Sequence, residues 1–205
     1  KGGSGKDGWG SKGGSGKDGW GSKGGSGKDG WVSDGIKIRS ASPGGKYVEG
    51  TNNVSWEPLS GTKSYVFVIE DMDHNIVFTK NVTGTTYSID SREAKLTSGI
   101  DYAWYVHHPV KKEVSTPVFF TVVNKAEEET AINNITSSDL YKKANEHIRM
   151  LMEAHVMEDA GLLLAAQSRY LKVIELSPNN SLAKMMYAQF CNNMNEIESA
   201  VKALK

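Results

Sequence analysis

The residues able to do chemistry are few and far apart. His147 and His155 lie eight positions apart, with Glu146 and Glu153 beside them. The His-Glu-x-x-His pattern, which sets two imidazoles and a base on one helix face, is missing. His107 and His108 are adjacent; on a strand, neighbouring side chains point to opposite faces, so this pair does not readily chelate one ion. Cys191 is the single cysteine, which excludes an internal disulfide framework and a cysteine-based zinc site. In its apolar helical stretch it reads as a packed core residue. No phosphate loop, dinucleotide fingerprint, nucleophile elbow or haem-attachment motif is present. Catalysis needs convergent groups in one pocket. None are legible, so the expectation is a non-enzyme, with no catalytic residues, no cofactor and no metal.

The side chains with binding potential stand in an N-terminal repeat. Residues 1–11 and 12–22 both read KGGSGKDGWGS, and 23–33 read KGGSGKDGWVS. Each copy brings one tryptophan: Trp9, Trp20 and Trp31. Residues 1–33 hold 14 of the chain's 22 glycines, against one, Gly161, in 138–205, and this shift marks separate units. Three tryptophans do not offset the entropy of ordering 33 glycine-rich residues, so the arm alone is a flexible tether. Order would have to come from other copies of the arm or from a neighbouring subunit. Glycines three apart, as at Gly2, Gly5 and Gly8, suit an extended three-residue helix. The phase breaks between copies, which excludes a continuous collagen helix. Stacked short strands with turns at Asp7-Gly, Asp18-Gly and Asp29-Gly are the other option. One carboxylate per copy is too few for calcium. The three tryptophans are the expected inter-subunit contacts. The chain begins at Lys1, which leads us to expect a processed product or a piece of something longer, with further copies upstream.

The elements behind the arm are of two kinds. From about Ile36 to Val123, apolar alternation appears in Ser64–Glu70, Asn75–Thr79, Tyr102–Val106 and Val118–Val123. Turn signals lie between, at Ser42-Pro-Gly-Gly45, Ser60-Gly61, Asp71-Met-Asp73, Thr83-Gly84 and Ser98-Gly99. Short strands punctuated in this way predict an all-β sandwich. Val54-Ser-Trp56-Glu-Pro58 and Ser64-Tyr-Val-Phe-Val68 resemble strands B and C of a fibronectin type III domain. Leu96-Thr-Ser-Gly99 through Val106 resembles that family's E–F corner and strand F, and Ser115-Thr-Pro117 through Phe120 its strand G. The resemblance implies that Tyr102 is the corner tyrosine, bonded to upstream backbone. It departs from the pattern at Ser40–Asn53, which is long and leaves strand A unplaced. The family implies a spacer or adhesive module without inherent chemistry. Trp56 and Trp104 are expected in its core.

Residues 125–137 read as a linker or short helical lead-in. Ser137-Ser138-Asp139 offers a helix start, with one long helix expected over about 139–158. Gly161, Ala166, Tyr170, Val173 and Pro178 then fall where a tetratricopeptide repeat has its turn residue, close-packing alanine, ring, small apolar contact and closing proline. After 34 residues the logic recurs with Asn195, Ile197 and Ala200. This stretch resembles one and a half to two such repeats. The resemblance implies a groove lined by Ile148, Leu151, His155 and Glu158, then Leu182, Met185, Gln189 and Asn192, which would dock a protein segment or pack on the chain's own sandwich. The fold class expected is multidomain β + α: a Gly-rich repeat arm (1–33), a fibronectin III-like β-sandwich (34–124), a linker (125–137) and TPR-like α-hairpins (138–205).

Lysines plus arginines equal aspartates plus glutamates at 24 each, which leaves no electrostatic footprint for nucleic acid. No apolar run is long enough to span a bilayer. Partners are therefore expected to be protein, with a homo-oligomer or polymer favoured. The expected role is a bacterial structural subunit at the cell surface or outside the cell, in a filament held by the arm. A periplasmic or surface adaptor using the helical groove is the alternative, and a carbohydrate-binding surface protein using the arm's tryptophans is the third. Sequons stand at Asn53, Asn81, Asn134 and Asn179 and matter only in a secreted eukaryotic protein.

Overall fold

A computed structural model describes residues 36–111, 113–194 and 196–204. Ser33–Lys205 form one compact unit, a β-sheet region followed by a helical one. The arm, with Trp9, Trp20 and Trp31, lies outside the described residues.

The strands are β1 (Ile36–Ile38), β2 (Gly45–Val48), β3 (Thr51–Ser55), β4 (Ser64–Asp71), β5 (Ile76–Thr83), β6 (Thr86–Asp90), β7 (Asp101–His107), β8 (Val114–Ser115) and β9 (Val118–Val123). The larger sheet runs β1-β8-β7-β4-β5, with β9 joined to β7 and β2 to β9; β3 and β6 pair antiparallel as the smaller sheet. Period-two alternation along β4 sends Tyr65, Phe67 and Ile69 inward, all buried. The register with β7 sets Phe67 opposite Val106 and Ile69 opposite Trp104, so the two strands share one inner face. Val54 of β3 and Ile89 of β6 close the core from the other sheet. Phe67 lies 5.6 Å from Trp104 and 4.7 Å from Tyr87 between ring centroids. A relay of polar atoms runs through this core: Trp104 Nε1 donates to Tyr47 Oη at 3.0 Å, and Tyr47 Oη donates to the Pro43 carbonyl at 2.8 Å, while the buried Trp56 Nε1 has no partner among the described residues. Tyr102 Oη accepts from the Thr97 N–H at 3.0 Å, the upstream backbone bond expected of a corner tyrosine. Trp56 and Trp104 are both buried.

The Ser40–Asn53 stretch holds β2, which runs parallel to β9 from Gly45↔Phe120 to Val48↔Val123. A Cβ on Gly44 would collide with the Phe119 carbonyl, so glycine is what lets β2 reach that edge.

The helices are α1 (Lys125–Thr136), α2 (Asp139–Lys143), α3 (Glu146–Asp159), α4 (Leu163–Leu176), α5 (Ser181–Asn193) and α6 (Ile197–Ala203). The stretch expected as a linker is thus mostly helix. Glu127 and Glu128 in the first turn of α1 complement its dipole, and Ala131 is its buried residue. The single long helix expected over 139–158 is two. Ala144 is extended, and the Asn145 side chain caps α3 by accepting from the Ile148 N–H at 3.0 Å.

α3 stops at Gly161, which takes φ +77°. There the Leu162 N–H bonds to the Met157 carbonyl at 2.8 Å and the Gly161 N–H to the Glu158 carbonyl at 3.0 Å, the paired bonds of a Schellman stop. The first of these recurs 34 residues later, where the Glu196 N–H bonds to the Cys191 carbonyl at 2.8 Å. Two successive helix hairpins result, α3–α4 and α5–α6. Their shared core holds Leu151, Ala154, Met157, Ala166, Tyr170, Val173, Phe190 and Cys191.

Sandwich and helices interlock. The Lys46 N–H donates to the Gly161 carbonyl at 2.9 Å. Gly45 has φ +94°, and a Cβ there would stand 2.8 Å from the same carbonyl oxygen. Lys46 Nζ pairs with Glu127 at 2.8 Å, and Leu164 of α4 lies in the sandwich core.

Candidate functional site

The groove residues expected on α3 separate into different environments. Leu151 is buried in the helical core and lines no surface: α1 packs beside α3, and Ala131 joins the same core. Ile148 is half-buried against that core. Glu158 is turned to internal use, accepting from Tyr170 Oη at 3.1 Å and from Asn193 Nδ2 at 2.9 Å. His155 is exposed, 3.9 Å from Asp159.

On α5 the four named residues share one exposed stripe, being spaced i, i+3, i+7 and i+10. Leu182 is 43% and Met185 61% exposed; Gln189, also exposed, donates to Asn193 Oδ1 at 2.9 Å, and Asn192 is exposed. Val201 of α6 and Leu204, which follows that helix as its C-cap, add further exposed apolar surface at 50% and 60%. Sequence reasoning leaves these two out, although the 34-residue offset from Gln167 and Tyr170 points to them.

A second concavity, about 350 Å³, opens where the sandwich meets the helices. The segment 40–44 and the β8–β9 turn form one wall; Gln167, Tyr187, Phe190, Cys191 and Met194 form the other. Its polar groups are mostly occupied in holding the walls together. Ser40 Oγ donates to the Thr116 carbonyl at 3.0 Å, Gln167 Nε2 to the Ala41 carbonyl at 3.2 Å, and Arg39 pairs with Glu196 at 2.6 Å and Glu198 at 2.8 Å. Burial pushes the Cys191 thiol up, which keeps it protonated and a poor nucleophile. Burial likewise raises the Tyr187 phenol, with the neighbouring thiol adding to the effect. This arrangement can hold an apolar group; it offers no activated nucleophile.

No family model matches the chain, and no curated protein matches it. Among solved structures it is similar to the fibronectin(III)-like modules of Clostridium thermocellum CbhA, at 12% identity and a TM-score of 0.28, over 43% of this chain and 98% of that one.

The remaining candidates are structural in placement. His108 Nδ1 accepts from the Val110 and Lys111 N–H groups at 3.1 and 3.0 Å, closing the turn after β7. His147 Nδ1 lies 3.2 Å from Ser177 Oγ and is not brought to His155. Among the described residues no group of three or more His, Cys, Asp or Glu is placed to hold a metal ion, and no helix is long and apolar enough to cross a membrane.

Proposed function

We propose that the chain is a structural subunit of an extracellular or cell-envelope assembly, in its simplest form a filament. In this reading the Gly-rich arm makes the inter-subunit contacts through Trp9, Trp20 and Trp31. The fibronectin III-like sandwich is a rigid spacer, and α3–α6 are two TPR-like hairpins that form a docking end. One contrast carries the reading. Polar contacts within Ser33–Lys205 lock its sheet region to its helices, as at Lys46–Gly161, Lys46–Glu127 and Arg39–Glu196. The 11-residue repeat, by comparison, supplies one large apolar ring per copy and too little else to bury it. A repeat of that kind gains by meeting other copies of itself, and a rigid body behind it sets their spacing.

The adaptor reading is favoured by a separate observation, the exposed apolar stripe of α5. It would place a protein partner there, with the arm as a tether.

The test is negative-stain electron microscopy of the full chain beside its Trp9→Ala/Trp20→Ala/Trp31→Ala variant. Filaments or large particles for the first and small discrete particles for the second support assembly through the arm. Small particles for both overturn it.

A further inference from the structure

The concavity between sheet and helices has the walls of a site for one large ring. Phe119, 37% exposed, stands on one side. Tyr187, Phe190 and Met194 stand on the other, and Pro117 lies in the β8–β9 turn. Aromatic and methionine surface of this kind packs an aromatic guest. Ser199 adds a hydroxyl to the wall, which suits a guest with a single polar N–H. The volume of about 350 Å³ is near the lower end for a ligand site; it holds a side chain and its backbone, not a folded element. The rim is acidic. Glu196 lines the pocket and belongs to a cluster in which Arg39 faces three carboxylates: Glu196 at 2.6 Å, Glu198 at 2.8 Å and Glu57. One guanidinium does not balance three carboxylates, and Glu57 and Glu198 are exposed, so the cluster keeps a negative excess turned to solvent.

We propose that this pocket receives the tryptophan of an arm repeat from a second copy of the chain. The inference rests on the reading that the arm joins subunits, and it names the surface the arm joins to. Three features of the repeat match the pocket. Each copy of the repeat carries one indole, and Trp9 and Trp20 have glycine on both sides, at Gly8 and Gly10 and at Gly19 and Gly21. A ring set in such a backbone enters without a neighbouring Cβ striking the rim. Each copy also carries two lysines to one aspartate, the sign that complements the acidic cluster. Finally, three indoles on one tether raise the effective concentration of the guest. Arm and pocket are different surfaces, the pocket being lined by residues from Ser40 to Ser199. The contact is therefore heterologous and runs head to tail, the kind that propagates into a filament when its rotation does not close a ring.

The test is calorimetric titration of the peptide KGGSGKDGWGS into the full chain carrying Trp9→Ala/Trp20→Ala/Trp31→Ala, which brings no competing indole from the arm. The expected result is saturable binding that weakens as salt rises and falls about thirtyfold or more when alanine replaces the peptide's tryptophan. Phe119→Ala in the chain should weaken binding in the same way, with circular dichroism confirming the fold. Glu57→Lys, an exposed change at the rim, should weaken it and lessen its salt dependence. No binding overturns the proposal, as does equal binding of the alanine peptide, or binding that neither Phe119→Ala nor Glu57→Lys alters. The two readings fail separately. If the full chain with its tryptophans forms large particles that Phe119→Ala leaves intact, arms join one another and the pocket proposal is wrong. If the peptide binds as expected while that full chain forms no large particles, the pocket stands and the arm reading fails.

Discussion

Replacing Gly45 with alanine should break the lock between sandwich and helices, and the size of the effect follows from the geometry. Two costs add. The backbone at φ +94° disfavours any side chain by about 1–2 kcal/mol. The new Cβ would also stand 2.8 Å from the Gly161 carbonyl oxygen and 3.2 Å from Leu163, and relieving such overpacking costs about 1–3 kcal/mol. Moving the two apart also weakens the Lys46–Gly161 hydrogen bond, worth about 1 kcal/mol. The total is roughly 3–6 kcal/mol, or a fall in Tm of about 6–24 °C for a unit of this size. Gly50→Ala is the control. Gly50 has φ +111°, and a Cβ there would meet nothing within 4 Å, so it carries the backbone cost alone, about 2–8 °C. Thermal melts followed by far- and near-ultraviolet circular dichroism compare the two. The Gly45 variant should melt lower, with its helical and aromatic signals no longer coincident. Equal shifts for the two variants would refute the reasoning.

Two further predictions concern the buried phenols. Tyr47→Phe removes the acceptor of the Trp104 indole N–H and leaves that buried donor unsatisfied, at about 1–3 kcal/mol; a lower urea midpoint with an unchanged slope is the expected result. Burial holds the Tyr47, Tyr105, Tyr170 and Tyr187 phenols above their ordinary value. The folded chain therefore keeps protons that the unfolded chain releases above about pH 10, and stability should fall as pH rises beyond that point, by about 1.4 kcal/mol per pH unit for each phenol kept protonated. Urea midpoints taken on either side of pH ~10 check it, and a constant midpoint would contradict it.

What the sequence makes legible is what local pattern encodes. β4, β5, β7 and β9 are readable because Val, Phe, Tyr and Trp alternate along them, and Tyr102 because its corner motif is local. β6 is not: in Thr86–Asp90 only Ile89 is buried, too little alternation to register. The parallel docking of β2 on β9 is a pairing of residues some 75 apart, which no local pattern reports. Asn145 reads as a helix interior residue until its side chain is seen capping α3. For the site, the stripe on α5 follows from spacing alone. The burial of Leu151 does not, because it depends on α1, whose run of glutamates hides a single buried alanine. The contact between Gly45 and Gly161 joins two glycines whose roles in their own turns already account for them.

The central claim, that the repeat arm assembles subunits, is tested most directly by light scattering on the full chain beside a chain beginning at Ser33, over a concentration series into the tens of micromolar. The account predicts a mass that climbs with concentration for the full chain and does not for the shorter one. The same mass for both chains at every concentration would contradict it.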